Sequence, residues 1–385
     1  MSISVAIVIP VYREASYIEK TLRSIEKSVQ FSIEKNWIPQ VILVVNNPLA
    51  ISEDFRNDNL ALIRNLTDVK QELSYPLSIL DYTSPGLKNG VGEARKIGMS
   101  YAIAKFLNDP KDRLVSLDAD CVVGDNYIQT LFKHPLKGSA FTMYFEHVLD
   151  SENILFYELY LRYLRWGLKW AESPFDYYSI GSCLGTTVEN YQKSGGMVSK
   201  SATEDFHFLN KLRKLGPVDY WADTWVRPSS RVSERVTLGT GYFLFQAKQG
   251  FEKAFQKLMI PSVRHFSVLK EILTQFSQYD GQHSLRDQFE KIQQSILYKN
   301  LHERKVIEKI HHIFESTTNP KNYGSRLMEV VDALETLRIL RFLWEREKVP
   351  MTKDIFMACS NELWSTNLSQ QELLMEIRKR EKEQI

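Results

Sequence analysis

Residues Val5-Ala6-Ile7-Val8-Ile9 form an unbroken apolar, largely β-branched run that Pro10 closes. A strand that is apolar on both faces has to be covered on both, and parallel sheets flanked by helices are where such strands occur. From about Ala15-Ser16 onward, Ile18, Leu22 and Ile25 fall at helical spacing, so the first strand feeds a helix. Val41-Ile42-Leu43-Val44-Val45 repeats the strand pattern and stops at Asn46-Asn47-Pro48. Leu77-Ser78-Ile79-Leu80 repeats it again and is expected to stop at Asp81 and a Pro85-Gly86 turn. A helix over about residues 92–107 then leads to the apolar run Leu114-Val115-Ser116-Leu117. Strand alternating with helix in this way predicts an α/β fold built on an open, mostly parallel sheet with helices on its faces.

The fourth strand ends in Asp118-Ala119-Asp120. Side chains at i and i+2 leave a strand on one face, so the two carboxylates can share a hard divalent cation and, through it, a diphosphate. Taken alone, an Asp pair after a buried strand is as well read as a turn. Its surroundings point to a ligand, because open α/β sheets bind at the carboxyl ends of their strands. Tyr12, Glu14, Asn46, Asn47, Asp81, Asp118 and Asp120 all fall there.

In order and spacing these residues resemble a family 2 glycosyltransferase of the GT-A fold, and the resemblance runs to about Gly241. Pro10-Val11-Tyr12-Arg13-Glu14 resembles that family's first nucleotide-binding element, and the segment from Gly90 to Gly98, with Ala94-Arg95, its stretch beside the nucleoside. Asp118-Ala119-Asp120 matches the metal-binding DxD. Gly181-Ser182-Cys183-Leu184-Gly185, with Lys193-Ser194-Gly195-Gly196-Met197, resembles the block that approaches sugar and acceptor. Thr203-Glu204-Asp205 stands where the family carries its Glu-Asp catalytic pair.

The resemblance implies a nucleoside-diphosphate sugar donor and Mg²⁺ or Mn²⁺, held mainly by Asp120 with Asp118 on the metal or the ribose. It also implies Asp205 as general base in an inverting transfer to an acceptor hydroxyl, with Glu204 orienting the acceptor. One departure stands out: many relatives end the second strand in an Asp pair that reads the base, where this chain has Asn46-Asn47. An amide can still bond a uracil edge, and a uridine donor is favoured by family habit. A retaining enzyme and a non-catalytic scaffold share the same fold and remain alternatives. Two enzymatic rivals lack their signatures. A nucleotidyltransferase needs a Gly-rich phosphate loop where Tyr12-Arg13-Glu14 stands, and a Rossmann dehydrogenase needs GxGxxG after its first strand.

At 385 residues the chain is long enough for two domains, and a net charge of +2 implies no general nucleic-acid surface. Cys121, Cys183 and Cys359 have neither the number for a disulfide frame nor metal spacing, which fits a reducing, cytoplasmic setting. No signal peptide and no membrane-spanning helix are expected. Residues 1–250 are read as the GT-A-like catalytic domain and 251–385 as an all-helical region of unknown role. That region carries helical stripes at Phe266/Leu269/Leu273/Phe276, Leu285/Phe289/Ile292/Ile296, Val306/Ile307/Ile310/Phe314 and Leu327/Val330/Val331/Leu334/Leu337. His302, His311 and His312 read as solvated or packed residues.

Two segments admit two readings. Residues 152–170 read as an amphipathic helix, with aromatics and leucines on one face and Glu158, Arg162, Arg165 and Lys169 on the other. It either docks on the catalytic sheet or, through Trp166, Trp170 and its basic residues, lies at the inner face of a membrane as a peripheral or lipid-acceptor contact. Arg227, Arg231 and Arg235 recur at four-residue spacing, but Pro228-Ser229-Ser230 argues for a loop. Arg231 and Arg235 are therefore candidates to hold a diphosphate or an anionic acceptor, against the alternative of a solvated surface. The acceptor itself, whether saccharide, lipid or small molecule, is not fixed by any motif.

Overall fold

The computed structural model describes residues 3–50, 53–233, 239–347 and 352–383. Its sheet has eight strands: β1 (Val5–Val11), β2 (Gln40–Pro48), β3 (Leu77–Leu87), β4 (Arg113–Ser116), β5 (Val122–Val123), β6 (Ala140–Phe145), β7 (Leu184–Thr187) and β8 (Val218–Arg227), ordered β3-β2-β1-β4-β7-β6-β8-β5. β1 lies between β2 and β4, parallel to both, and every one of its residues is buried, as its unbroken apolar run requires. The half of the sheet around β1 is parallel. Beyond β4 it is mixed, since β4–β7, β6–β7 and β5–β8 run antiparallel and β6–β8 parallel. The α/β class read from the sequence, an open sheet flanked by helices with a helical region after it, is the architecture observed.

Helix α1 (Ile18–Phe31) starts three residues later than its pattern suggested, because the Glu14 carbonyl first accepts a turn bond from Tyr17 and then one from Ile18. Its apolar stripe, Ile18, Leu22 and Ile25, is fully buried. After α2 (Glu53–Gln71), β3 departs from expectation: it does not stop at Asp81 but runs on to Leu87. Its register against β2 shifts between Asn46 and Pro48. The Pro85-Gly86 pair, read as a turn, is that irregularity, with a cis Ser84–Pro85 bond and Gly86 at φ +94°. A Cβ at Gly86 would lie 2.8 Å from the Asn47 carbonyl and 2.7 Å from that of Pro48, so only glycine lets the strands meet here. Helix α3 (Gly90–Lys105) covers β1 and β2, packing Ala94, Met99 and Ala102 into the cluster that holds Val8, Ile42 and Val44.

Two compact units are formed, Met1–Leu155 with Tyr177–Phe245 and Glu376–Ile385, and Phe156–Asp176 with Gln246–Met375. The first holds the sheet, with α4 (Tyr127–Lys133), α6 (Val188–Lys193) and α7 (Glu204–Arg213). It also takes the end of the last helix, whose buried Glu381 accepts hydrogen bonds from the hydroxyls of Tyr178 and Tyr220. The second unit is helical. Helix α5 (Glu152–Trp170) supplies much of its core: the Phe156 ring lies 5.2 Å from Phe251 and 5.0 Å from Phe356, and Tyr163 lies 5.7 Å from Phe266.

The polar stripe of α5 is largely enclosed: Glu158 and Arg162 are both 0 % exposed and paired at 2.8 Å, and Arg165 donates to the Asp176 carbonyl at 3.0 Å, while Lys169 is exposed. An i,i+4 pair of opposite charges is a form in which such residues can be buried on a helix. Trp170, at 42 % exposure, is a single exposed ring at its end. Among the described residues no helix is long and apolar enough to cross a membrane.

The later helices follow their stripes with two breaks. Phe266, Leu269 and Phe276 are buried on helix Val263–Ser277. The Leu285/Phe289 stripe stops instead of reaching Ile296, because helix Leu285–Lys291 ends before Gln293 at φ +57° and Ile296 is exposed on the next one. Likewise the stripe from Leu327 to Leu337 belongs to two helices, Tyr323–Val330 and Ala333–Glu347.

Glu158 is one member of a fully buried ion pair. Glu158→Ala should therefore cost about 3–5 kcal/mol, read as a lowered urea midpoint. A loss below about 1 kcal/mol would show that the stripe faces solvent after all.

Candidate functional site

Parallel pairing brings the carboxyl ends of β1, β2 and β4 to one edge, and the chain turns there three times. Beyond β4 the Leu117 N–H still bonds the Val8 carbonyl at 3.1 Å, after which Asp118–Cys121 forms a turn closed by Cys121 N–H on the Asp118 carbonyl at 3.2 Å. The Asp pair thus sits in a turn at the strand end. Its geometry is fixed from α1, where the buried Thr21 hydroxyl donates to the Ala119 carbonyl at 2.8 Å. The two carboxylates engage two different arginines.

Asp118 is bonded by Arg95, whose guanidinium also bonds Glu204 at the start of α7. Arg95 is only 3 % exposed, so it lies beneath the edge and not on it. Gly181 makes this possible: a Cβ there would overlap the guanidinium. Both residues are expected to touch the nucleotide sugar; in the structure Arg95 joins the Asp118 turn to α7, and Gly181 leaves room for its guanidinium. Thr203, at φ +62°, turns the chain into that helix, so Glu204 points in toward Arg95 and the adjacent Asp205 bonds the Phe206 N–H at 2.7 Å. Burial pushes the Asp205 carboxyl above the ordinary Asp range. The Arg95 charge and the Phe206 N–H pull the other way without cancelling it, and the Asp118 charge adds to the rise.

Asp120 is bonded by Arg231 from the segment after β8, Nε to Oδ2 at 2.9 Å, and the same guanidinium bonds Glu14 at the end of β1. Its carbon lies 4.7 Å above the Tyr17 ring. Burial disfavours the charge on Arg231, yet Glu14 and Asp120 hold its pKa above the usual arginine value. The segment is a loop as far as Ser233, and Arg231 is its inward anion contact. Arg235 lies outside the described residues. Arg227, on β8, pairs with Glu146 at 2.5 Å and stacks on Trp225.

The remaining predicted residues divide. Tyr12 is half-buried just past β1, and Pro10 is within β1 opposite Val44. Asn47 is wholly buried with its amide committed, donating to the Thr83 carbonyl at 3.1 Å and accepting from Asn59 at 2.5 Å. These bonds tie the β2 edge to Thr83 and Asn59. Asn46 beside it is 4 % exposed. Asp81 is on the outer strand, bonding the Thr83 N–H at 2.9 Å and its hydroxyl at 2.6 Å. Sequence reading missed Thr21, Tyr17 and Asn59. Thr21 alone left a signal, a hydroxyl on the buried stripe of α1.

Asp118 and Asp120 supply hard oxygen donors, the chemistry Mg²⁺ and Mn²⁺ prefer. Among the described residues no group of three or more His, Cys, Asp or Glu side chains stands ready around a cation. The donor set therefore fits an ion whose shell is completed by phosphate oxygens and water, as Mg²⁺ is commonly held.

No protein-family model matches the chain, and no curated protein does. Solved structures align with it at low similarity. S. aureus TarS 1-349 in complex with UDP-GlcNAc aligns at TM-score 0.44 and 11 % identity over 90 % of this chain and 92 % of that one. GalNAc-T7 with UDP, GalNAc and Mn²⁺ aligns at 0.40 and 12 %, over 75 % and 54 %. Glucosyl-3-phosphoglycerate synthase from Mycobacterium tuberculosis, with Mn²⁺, UDP and glucosyl-3-phosphoglycerate, aligns at 0.35 and 12 %, over 69 % and 79 %. These are likenesses of broad outline only.

If Gly181 exists to admit Arg95, Gly181→Ala should lower stability by about 1–3 kcal/mol. Its effect should be less than additive with Arg95→Lys, since both break the same bridge. Additive urea-denaturation losses in the double variant would separate the two residues.

Proposed function

We propose that the chain is a glycosyltransferase that moves a sugar from a nucleoside-diphosphate donor to an acceptor hydroxyl. The observation that carries this reading is the single edge on which Asp118 and Asp120 end β4 and the Glu204–Asp205 pair opens α7, joined through Arg95. Donor and acceptor chemistry need these two sets of carboxylates a few ångströms apart, one beside the departing diphosphate and one beside the attacking hydroxyl.

In this reading the diphosphate lies against the Asp118–Asp120 turn. Mg²⁺ or Mn²⁺, held mainly by Asp120 with Asp118 on the ion or the ribose, would neutralise charge on the leaving group. Arg231 is within reach to bond phosphate oxygens with its fork. Asp205 accepts the proton of the acceptor hydroxyl as that oxygen bonds the anomeric carbon. The bond from that carbon to the diphosphate breaks on the opposite face with its electron pair on phosphate, which inverts the centre. A carboxylate with raised proton affinity is a better base at neutral pH than an ordinary Asp, so the burial of Asp205 serves the step. Glu204, tied to Arg95, fixes the start of α7 and hence the place of Asp205. Asn46 and Asn47 are amides at the β2 edge of a kind that can bond a uracil, and a uridine donor is the reading we favour.

The test is turnover of a panel of UDP-sugars with Mn²⁺, as transfer or hydrolysis. Asp205→Asn should lower it by about 10²-fold or more. The same change should leave the melting temperature at pH 7 equal or higher. A carboxyl whose folded pKa is raised contributes stability only at low pH and loses it as pH rises through that value. Activity should fall on the acid side as pH drops through a pKa above the ordinary Asp range. An acid limb in the ordinary range, or a loss confined to KM, would make Asp205 a binding residue.

A further inference from the structure

Asp120 is the carboxylate on which the proposed cation depends, and a cation already stands on it. Arg231 Nε lies 2.9 Å from Asp120 Oδ2, the guanidinium bonds Glu14 as well, and its face rests over Tyr17. The Arg231 side chain is 20 % exposed and that of Asp120 18 %. A divalent ion arriving at Asp120 would thus meet a fixed positive charge within a few ångströms, where little water screens the repulsion. Arg231 is on a loop with no regular structure between Pro228 and Ser233, so releasing it does not require a strand or helix to break. A diphosphate supplies what would draw it off, since phosphate oxygens accept the guanidinium fork as well as a carboxylate does and carry more charge.

We propose that Arg231 holds the cation position of Asp120 until a nucleoside diphosphate binds, and that the arginine then passes to the phosphates while the divalent ion takes Asp120. The inference rests on reading this edge as a nucleotide–cation site. It makes Arg231 the residue that sets binding order: the ion enters with or after the nucleotide and is excluded from the empty site. No covalent step is involved; one cation replaces another on a carboxylate. A phosphate–metal bond would by itself couple the two ligands, but it would not make the nucleotide-free protein reject the ion.

Mn²⁺ binding followed by electron paramagnetic resonance, with and without UDP, separates these. Wild type should bind Mn²⁺ weakly alone and much more tightly with UDP. Arg231→Gln should bind Mn²⁺ alone about tenfold or more tighter than wild type, while binding UDP without metal about tenfold more weakly. Arg231→Lys, which keeps a charge beside Asp120, should reject Mn²⁺ as wild type does, and Asp120→Asn should abolish the gain when added to Arg231→Gln. Melting curves of each variant without ligand show that it is folded; if Arg231→Gln is not, a wild type that binds Mn²⁺ equally with and without UDP overturns the exchange on its own. Equal Mn²⁺ affinity of wild type and Arg231→Gln without UDP overturns the exchange while leaving the nucleotide site standing. Absence of Mn²⁺ binding in all proteins even with UDP overturns the site itself, and the exchange with it.

Discussion

Carboxylates crowd the carboxyl edge of this sheet, and Arg95 and Arg231 are what allow them to stand together. Glu14, Asp118, Asp120 and Glu204 each bond one of the two guanidinia, and Asp205 lies next to Glu204. Like charges at such spacing raise one another's pKa and push the segments apart unless a cation intervenes. Each arginine joins two different segments, Arg95 the β4 end to α7 and Arg231 the β1 end to the β4 turn. The charges that suit the edge to the proposed phosphate chemistry thus also hold its parts in register.

The two forks differ in ways that suit different tasks. Arg95 is buried on a helix, with Gly181 emptied of a side chain to admit it, and can move little. Its contribution is positional: it fixes α7 and tempers the rise in the proton affinity of Asp205. Arg231 is partly exposed, on a segment without regular structure. In the proposed transfer, a rigid fork beside Asp205 and a loop-borne one beside Asp120 would suit a base that stays put while the diphosphate enters and departs.

Much of this was legible in the sequence where the signal is local. The unbroken run of β1 demanded cover on both faces, the apolar approach to Asp118 announced a strand end, and Thr203-Glu204-Asp205 announced a helix start. What escaped depends on partners far along the chain. Nothing at Arg95 says that Gly181 will leave room for it, and Asn47 gives no sign that Asn59 and Thr83 will bond its amide. The mixed half of the sheet escaped because Ala140–Phe145 is buried throughout and Val122–Val123 is too short to show a period. Charge normally marks a solvated face, whereas Glu158 and Arg162 of α5 are buried as an ion pair that no single-position signal announces. Pro85-Gly86 was misread as an end because the same pair that makes a turn also makes a strand irregularity when a neighbouring backbone comes close.

The central claim is that this one edge holds a nucleoside diphosphate with its cation against the Asp118–Asp120 turn. Diffraction from crystals of the protein with UDP and Mn²⁺, recorded at a wavelength where manganese scatters anomalously, locates the ion without assumption about the reaction. The account predicts an anomalous peak at about 2.0–2.2 Å from an Asp120 carboxylate oxygen, with the diphosphate completing its shell and the uridine lying toward the ends of β1 and β2. A peak elsewhere, or a nucleotide bound away from this edge, would contradict it.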